Sequence, residues 1–496
     1  MTNDALGAAP VVDLGDHATL TGRHAVPLPT YERDALRRSI VHLGVGGFHR
    51  SHLATYVDEL CATGNRDWAI VGAGMLPADQ TIADALTTQG GLYSLVERDH
   101  GQTQVRVVGS IVDYVFAADQ REPLIDRLAA PDTAIATLTI TEGGYPVDHE
   151  GRFDPDSAAP AFDVLVEALD RRRRSAVAPL TVISCDNVSD NGATTKAVTL
   201  GVAEQRGGSL AHWIDSNVAF PNRRVDRITP ATTDDDRRWL RETHSIIDRA
   251  PVFTEPFRQW VLEDDFASDR PPWEALDILL TSDVEPYETL KLRVLNAAHS
   301  SLAYLAALGG YRFVHDAINN STLRQFIVQL LSAEVRPVLP LTPGIDPARY
   351  SNEVLQRFAN PAIGDQIARL CLDGSSKFPK FLLPTLRGQL RQRGPIRCTT
   401  LALAGWCRYL ATVDRSELAY DPRLDALVPL AVEALSEPRA FLSFTPVFGP
   451  DLPNTPRFTD EFTRSLRLLS EMPIPSAIAS AIGSDAQDGD ATARQR

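Results

Sequence analysis

Four side chains with chemical capability share one short run of sequence, from Glu288 through Lys291 and Asn296 to His299. They are a carboxylate, an amine, an amide and an imidazole. The residues between them are mostly Leu, Arg, Val and Ala, without Gly or Pro, so the run reads as a helix. At about 100° per residue, with Lys291 at zero, Glu288 lies near 60°, His299 near 80° and Asn296 near 140°. One wall of the helix therefore carries all four. A solvated helix face accommodates the same residues, and spacing alone leaves both readings open. The chemistry such a wall suits is proton removal from an alcohol while hydride leaves its carbon. A lysine serves as base when burial or a nearby cation lowers its pKa, and Arg369 or a protonated His299 is a source of that cation. Amide donors, Asn296 here and Asn187 from elsewhere, stabilise the developing alkoxide. Glu288 is placed to exchange protons between Lys291 and solvent.

Such a base needs a hydride acceptor, and the first half of the chain is organised to hold one. A β-branched run, Ser39 to Leu43, leads into Gly44-Val45-Gly46-Gly47-Phe48-His49-Arg50, and a helical pattern follows from Leu53 to about Gly64. A second strand is expected at Trp68–Val71. Strand, glycine-rich turn, helix and strand in that order open a dinucleotide-binding sheet. The spacing departs from G-x-G-x-x-G, because Arg50 stands where the third glycine would be. Backbone amides at the helix start, with Arg50 beside them, form an anion site for a pyrophosphate. Asp79, beyond the second strand, is either a ribose-directed carboxylate that favours NAD over NADP or a helix N-cap.

Further strands are expected at Leu92–Val96, Gln104–Val108, 134–140 and 180–185, with helices at 118–128 and 162–174. The last two strands are continuous apolar runs, as buried parallel strands are. They end in Glu142-Gly143-Gly144 and Asp186-Asn187, so three polar clusters fall at strand ends, where open parallel sheets bind ligands. The arginine run 171–174 reads as a solvated face. A bent strand is expected over 252–264. From about residue 287 the pattern is helical. The fold class is therefore α/β, with a Rossmann-type N-terminal domain over 1–285 and a mostly α-helical C-terminal domain over 286–496. The tail from Ser484 reads as disordered.

The formal charge is −15, from 49 basic and 64 acidic residues, which argues against nucleic acid or an anionic membrane as partner. Five scattered cysteines without a C-x-x-C pair indicate a reducing compartment. No signal peptide or membrane-spanning run is evident, so the expected location is the cytoplasm. His42, His49 and His52 cluster, but they flank the glycine turn and no cysteine accompanies them, so no metal is expected. A Tyr-x-x-x-Lys short-chain site is excluded because the candidate lysine lies in the helical half.

Six stretches are recognisable together: Gly44 to Arg50 with His52, Thr139 to Tyr145, Ser184 to Asn187, Val225 to Pro230, the Lys291/Asn296/His299 set, and Asp373 to Phe381. In this order the chain resembles the polyol-specific long-chain dehydrogenases from about residue 30 to 470. That resemblance implies a metal-independent, NAD-dependent oxidation of a polyol to a ketose, D-mannitol to D-fructose foremost, with D-arabinitol or D-sorbitol as further substrates. It implies an active site between the two domains, with Lys291 as base and Asn187 and Asn296 on the reacting oxygen. Glu288 is implied as proton relay, His299, Asp226 and Arg369 as substrate ligands, and Ala78-Asp79 stands where some members have Glu-Asp. Lys377 joins the substrate-binding candidates. Gly44, Gly46, Gly47, Phe48, Arg50, Asp79 and Glu142 are the cofactor-binding candidates. A hexuronate reductase of the same fold, which needs an extra cation, and a non-catalytic NAD-binding sensor are the rival readings. A monomer is compatible with the long helical domain.

Overall fold

The computed structural model describes residues 11–20, 26–65, 67–148, 152–188 and 190–483, and the acidic tail from Ser484 lies outside them. The chain divides into two compact units, Met1–Val284 and Glu285–Arg496.

The first unit is built on five parallel strands: β1 (Arg38–Leu43), β2 (Trp68–Gly74), β3 (Ile111–Phe116), β4 (Thr133–Leu138) and β5 (Thr181–Ser184), in the spatial order β3-β2-β1-β4-β5. Successive residues point to opposite faces, and the two faces bury different partners. Ile40, Ile70, Ile135 and Ile183 pack with helices α1 (Gly47–Ser51), α2 (Leu53–Ala62) and α3 (Gln80–Thr88) on one side. Val41, Val71, Ala136 and Val182 pack with α4 (Glu122–Ala129), α5 (Pro160–Arg174) and α6 (Asn191–Arg206) on the other. Burial on both faces explains the apolar runs. The order reverses at β1, the crevice where doubly wound sheets take dinucleotides.

Several expectations change. The strands near 93–108 form a hairpin, Tyr93–Asp99 with Gln102–Val108, that belongs to a separate three-stranded sheet with Val252–Thr254. The edge strand of the main sheet is Ile111–Phe116 instead, whose half-buried face lacks a continuous apolar run. The bent strand over 252–264 is two strands, Val252–Thr254 and Gln259–Glu263. The arginine run is not uniformly solvated. Arg172 is 1% exposed and donates to the carbonyls of Ala178, Leu128 and Ala130 at 2.7–2.9 Å, tying α5 to the end of α4. Burial lowers its pKa to about 10.

The second unit is helical. Its central helix is interrupted: α7 (Glu285–Lys291) passes into a π-helical turn, Leu292–Asn296, and then into α8 (Ala297–Leu308). The core forms where α8 meets later helices. Tyr304 packs within 5.7 Å of Phe378, and Phe378 lies 5.0 Å from Trp406 on the helix Arg397–Thr412. Gly405 lets that helix approach closely, because a Cβ there would stand 2.8 Å from Leu305 Cδ2. Helices at Gly374–Phe381, Leu383–Gln392, Pro456–Glu471 and Ile474–Ile482 add to those anticipated from the pattern. Pro379 inside the first and Pro384 at the start of the second hide their periodicity.

Candidate active site

The strand ends of the first unit form a register-locked row. Ala73, Leu43, Leu138 and Ser184 are paired neighbours across β2, β1, β4 and β5. The next residues are therefore Gly74, Gly44, Thr139 and Cys185, and every cluster anticipated at a strand end lies just past this row.

Gly44 adopts φ +92°, and a Cβ there would lie 2.1 Å from the Thr139 carbonyl oxygen. Only glycine fits. Its carbonyl accepts from Gly46 N–H and Thr139 Oγ1 and faces His42 Nε2 at 3.2 Å. Gly46 and Gly47 differ: the nearest atom of the chain to an added Cβ lies 4.0 Å and 3.6 Å away. Their lack of a side chain is not demanded by the protein's own packing, and it leaves the backbone open to close approach at the start of α1. The Gly47, Phe48 and His49 amides occupy the first turn there, where no intrahelical acceptor exists. Phe48 itself is half-buried, stacked 5.0 Å from His52.

Arg50 has a different task from the one its position suggested. It is buried, donates to the Ala250 carbonyl and to Gly46 O at 3.3 Å, and lies over the Tyr93 ring. Its guanidinium is committed to the interior, so the groups that the turn leaves open are backbone amides. The helix expected from Leu53 begins separately, because His52 (φ −117°, ψ −89°) breaks the chain between α1 and α2. His42 and His49 stack 3.5 Å apart. Burial depresses the pKa of His42 and of His52 to about 3, and that of His49 well below its ordinary value. No group of three or more potential metal ligands occurs among the described residues.

Asp79 sits at the end of β2. It is no side-chain N-cap: Oδ2 accepts from the Met75 and Leu76 amides, both at 2.9 Å, which closes the turn after the strand. Glu142 lies exposed in a single turn, Glu142–Gly144, after β4. Thr141 takes φ +64°, and Asp186 holds it there by accepting from the Ile140 and Thr141 amides at 3.1 and 2.8 Å and from Tyr145 Oη at 2.8 Å. Asn187 follows, exposed at the tip of a tight turn closed by Val188 N–H to Asp186 O at 2.8 Å. Asn191, its neighbouring amide, is spent on Arg223, with both side-chain ends bonded to that residue's backbone. Asp226 is 4% exposed and paired with Arg224 at 2.9 Å, on a strand (Arg223–Asp226) outside the main sheet.

In the second unit the π turn alters the wall that spacing suggested. It carries one residue more than an α turn, so everything after it is set back by about 100°. Asn296 then falls near 40° and His299 near −20° on the Lys291 scale, and the four groups share an arc of about 80° rather than 140°. Glu288, Lys291, Asn296 and His299 are all partly exposed. His299 lies flat on Phe358, ring centroids 3.8 Å apart, and its Nε2 is buried without a hydrogen-bond partner among the described residues. Burial lowers its pKa to about 3, which disfavours the protonated His299 considered as a helper cation. Arg369, one of the cations around His299, is bonded to Asp365 at 2.8 and 2.6 Å. Lys377 donates to the Leu370 carbonyl at 3.2 Å, and burial lowers its pKa. His299, Arg369 and Lys377 therefore belong to one electrostatic cluster. Asp365, which joins two of them, escaped the sequence reading. Its only signal was the four-residue spacing to Arg369.

A doubly wound sheet with open glycine amides at its crossover, followed by a helical unit carrying lysine, amide and imidazole on one wall, defines the class of dinucleotide-dependent dehydrogenases. Residues 38–275 match the mannitol dehydrogenase Rossmann domain and residues 283–470 the mannitol dehydrogenase C-terminal domain, and the chain belongs to the mannitol dehydrogenase family. It is 41% identical over 468 residues to a mannitol 2-dehydrogenase of Aspergillus fumigatus, covering 90% of this chain and 93% of that one. It is 40% identical over 460 residues to mannitol dehydrogenase 2 of Saccharomyces cerevisiae, covering 89% and 92%. Among solved structures it resembles Pseudomonas fluorescens mannitol 2-dehydrogenase in ternary complex with NAD and D-mannitol (TM-score 0.79, 39% identity, 92% and 97% covered). It also resembles a substrate-free D-sorbitol dehydrogenase (TM-score 0.86, 33% identity, 91% and 97% covered).

Proposed function

We propose that this chain oxidises a polyol at a secondary alcohol to the ketose with NAD, D-mannitol to D-fructose first, with Lys291 as general base and no metal. The observation that carries this reading is the narrowed wall: the π turn draws Lys291, Asn296 and His299 onto one arc, as a base, an oxygen-directed amide and a neutral substrate ligand require. Family membership and the likeness to a mannitol 2-dehydrogenase bound to NAD and D-mannitol support the substrate and the cofactor.

NAD, when bound, accepts the hydride from the alcohol carbon. The Gly47, Phe48 and His49 amides hold its pyrophosphate, with Gly46 allowing close approach and Glu142 on the neighbouring loop. Asp79 directs a carboxylate towards the ribose. Lys291 takes the hydroxyl proton, and Asn296 donates to the oxygen as negative charge develops there. We retain Asn187 as a second donor to that oxygen. Glu288, one turn before Lys291, passes the proton outward. His299, Arg369, Lys377 and Asp226 are the proposed substrate ligands. With its pKa lowered, His299 acts as a neutral ligand whose ring has one donor and one acceptor nitrogen, of which Nε2 lies on the Asp365 side. An amine base and amide donors supply what a Lewis acid would otherwise give, hence the absence of a metal from this scheme.

NADH formation with D-mannitol, D-arabinitol, D-sorbitol and D-mannonate, each with and without a chelator, tests the reading. Turnover on D-mannitol that survives chelation is expected. Failure on every polyol would overturn it, and loss on chelation would remove the metal-free scheme.

A further inference from the structure

Asp365 is the carboxylate that two proposed substrate ligands share. Its Oδ1 accepts from Arg369 Nε at 2.8 Å, its Oδ2 accepts from the same guanidinium at 2.6 Å, and that Oδ2 stands 4.0 Å from His299 Nε2. The anion is rooted and the cation reaches outward: the Asp365 side chain is 10% exposed and that of Arg369 59%. Its backbone is fixed as well. Val314 N–H donates to Asp365 O at 2.9 Å, and Ile367 N–H donates to Arg312 O at 3.0 Å. The other charges around His299 and Lys377 are Arg357 and Asp373.

A guanidinium beside a substrate site ordinarily selects carboxylates, because its fork matches two oxygens. Here one such fork already carries a carboxylate from the chain. A substrate carboxylate on the remaining N–H groups would meet Asp365 across the same guanidinium, and like charges at that range repel. A hydroxyl meets no such penalty. Repulsion of the wrong ligand discriminates as effectively as attraction of the right one.

We infer that Asp365 is a specificity-determining residue, whose carboxylate holds Arg369 in place and turns away sugar acids in favour of neutral polyols. This deepens the proposed function and rests on its reading of Arg369 and His299 as substrate ligands.

The test compares kcat/KM for D-mannonate and D-mannitol in the wild type, Asp365→Asn and Asp365→Ala. The mannonate-to-mannitol ratio is expected to rise by about tenfold or more in both variants, and the rise to shrink at high salt. It should vanish when Arg369→Ala is added to Asp365→Ala. An unchanged ratio in a folded variant overturns the inference. Should both variants fail to fold, inhibition of wild-type mannitol oxidation by mannonate and by its uncharged amide gives the answer: the amide is expected to bind about tenfold tighter or better, and equal or tighter binding of mannonate overturns the inference. Wild-type protein without turnover on any polyol would remove the underlying reading and this inference with it, whereas an active wild type with an unchanged ratio would remove Asp365 alone.

Discussion

At the scale of single residues, Lys291 bears the heaviest assignment. Lys291→Ala is expected to lower kcat by about 10²- to 10⁴-fold, the range general bases contribute, while NADH binding measured by fluorescence stays intact. A variant that keeps its rate and its pH profile would leave Lys291 without the role. His299 makes a second, independent prediction. With its pKa held at about 3, the polyol KM should show no ionisation attributable to this imidazole between pH 5 and 8. An inflection near pH 6.5 that disappears in His299→Gln would contradict it. Lys291, Asn296 and His299 were placed on one helix from the sequence, but their angles were not, since the π turn sets Asn296 and His299 back by about 100°. Residues were poorly read where the partner decides the role. Arg50 looked like an anion ligand and is buried against Ala250, and Arg172 looked solvated and is a buried tie between helices. Asp365 was invisible, since a carboxylate four residues before an arginine is common on any helix surface.

At the scale of elements, the glycine turn separates folding from binding. Gly44→Ala places a Cβ 2.1 Å from the Thr139 carbonyl at φ +92°, so it should destabilise the first unit by about 1–3 kcal/mol or more. Gly46→Ala meets no atom of the chain closer than 4.0 Å. It should unfold at the wild-type temperature and yet bind NADH more weakly. Thermal unfolding and a fluorescence titration on both variants check this, and a Gly46→Ala protein with undiminished affinity would remove the turn as the cofactor's seat. The strand–turn–helix order was legible because β1, β2, β4 and β5 are apolar on both faces. The edge strand Ile111–Phe116 was not, since only Ile111 of its six residues is fully buried. The π turn had no sequence signal: neither Gly nor Pro marks it, and α-helical spacing was the natural assumption.

At the scale of the whole molecule, buried ionisable groups make stability depend on pH. Glu334, 1% exposed, lies in a second π turn (Leu330–Val335) and accepts from the Cys398 and Thr399 amides at 2.6 and 2.8 Å, capping the helix Arg397–Thr412 from outside its own sequence. Burial raises its pKa from 4.5 to about 7. A raised acid holds its proton in the fold at a pH where the unfolded chain has released it. Its contribution is therefore full below about pH 4.5 and is lost as pH rises through about 7. Glu334→Gln cannot ionise, so its unfolding midpoint relative to wild type should improve between pH 4.5 and 8, by up to about 3 kcal/mol in stability. A constant difference across that range would show that Glu334 is ionised throughout. The histidines of the first unit act in the opposite sense: His42 and His52, held to about 3, weaken that unit as pH falls below about 6.5.

The turn Leu292–Asn296 also bears on how this enzyme family can change. A π turn behaves as a one-residue insertion absorbed within a helix. Removing one residue between Lys291 and Asn296 would restore an unbroken α-helix in which the amide stands four and the imidazole seven residues after the lysine, still near 40° and −20° from it. The arrangement of these side chains therefore tolerates loss of one residue inside the turn, whereas a deletion between Asn296 and His299 that leaves the turn in place would swing the imidazole by about 100°.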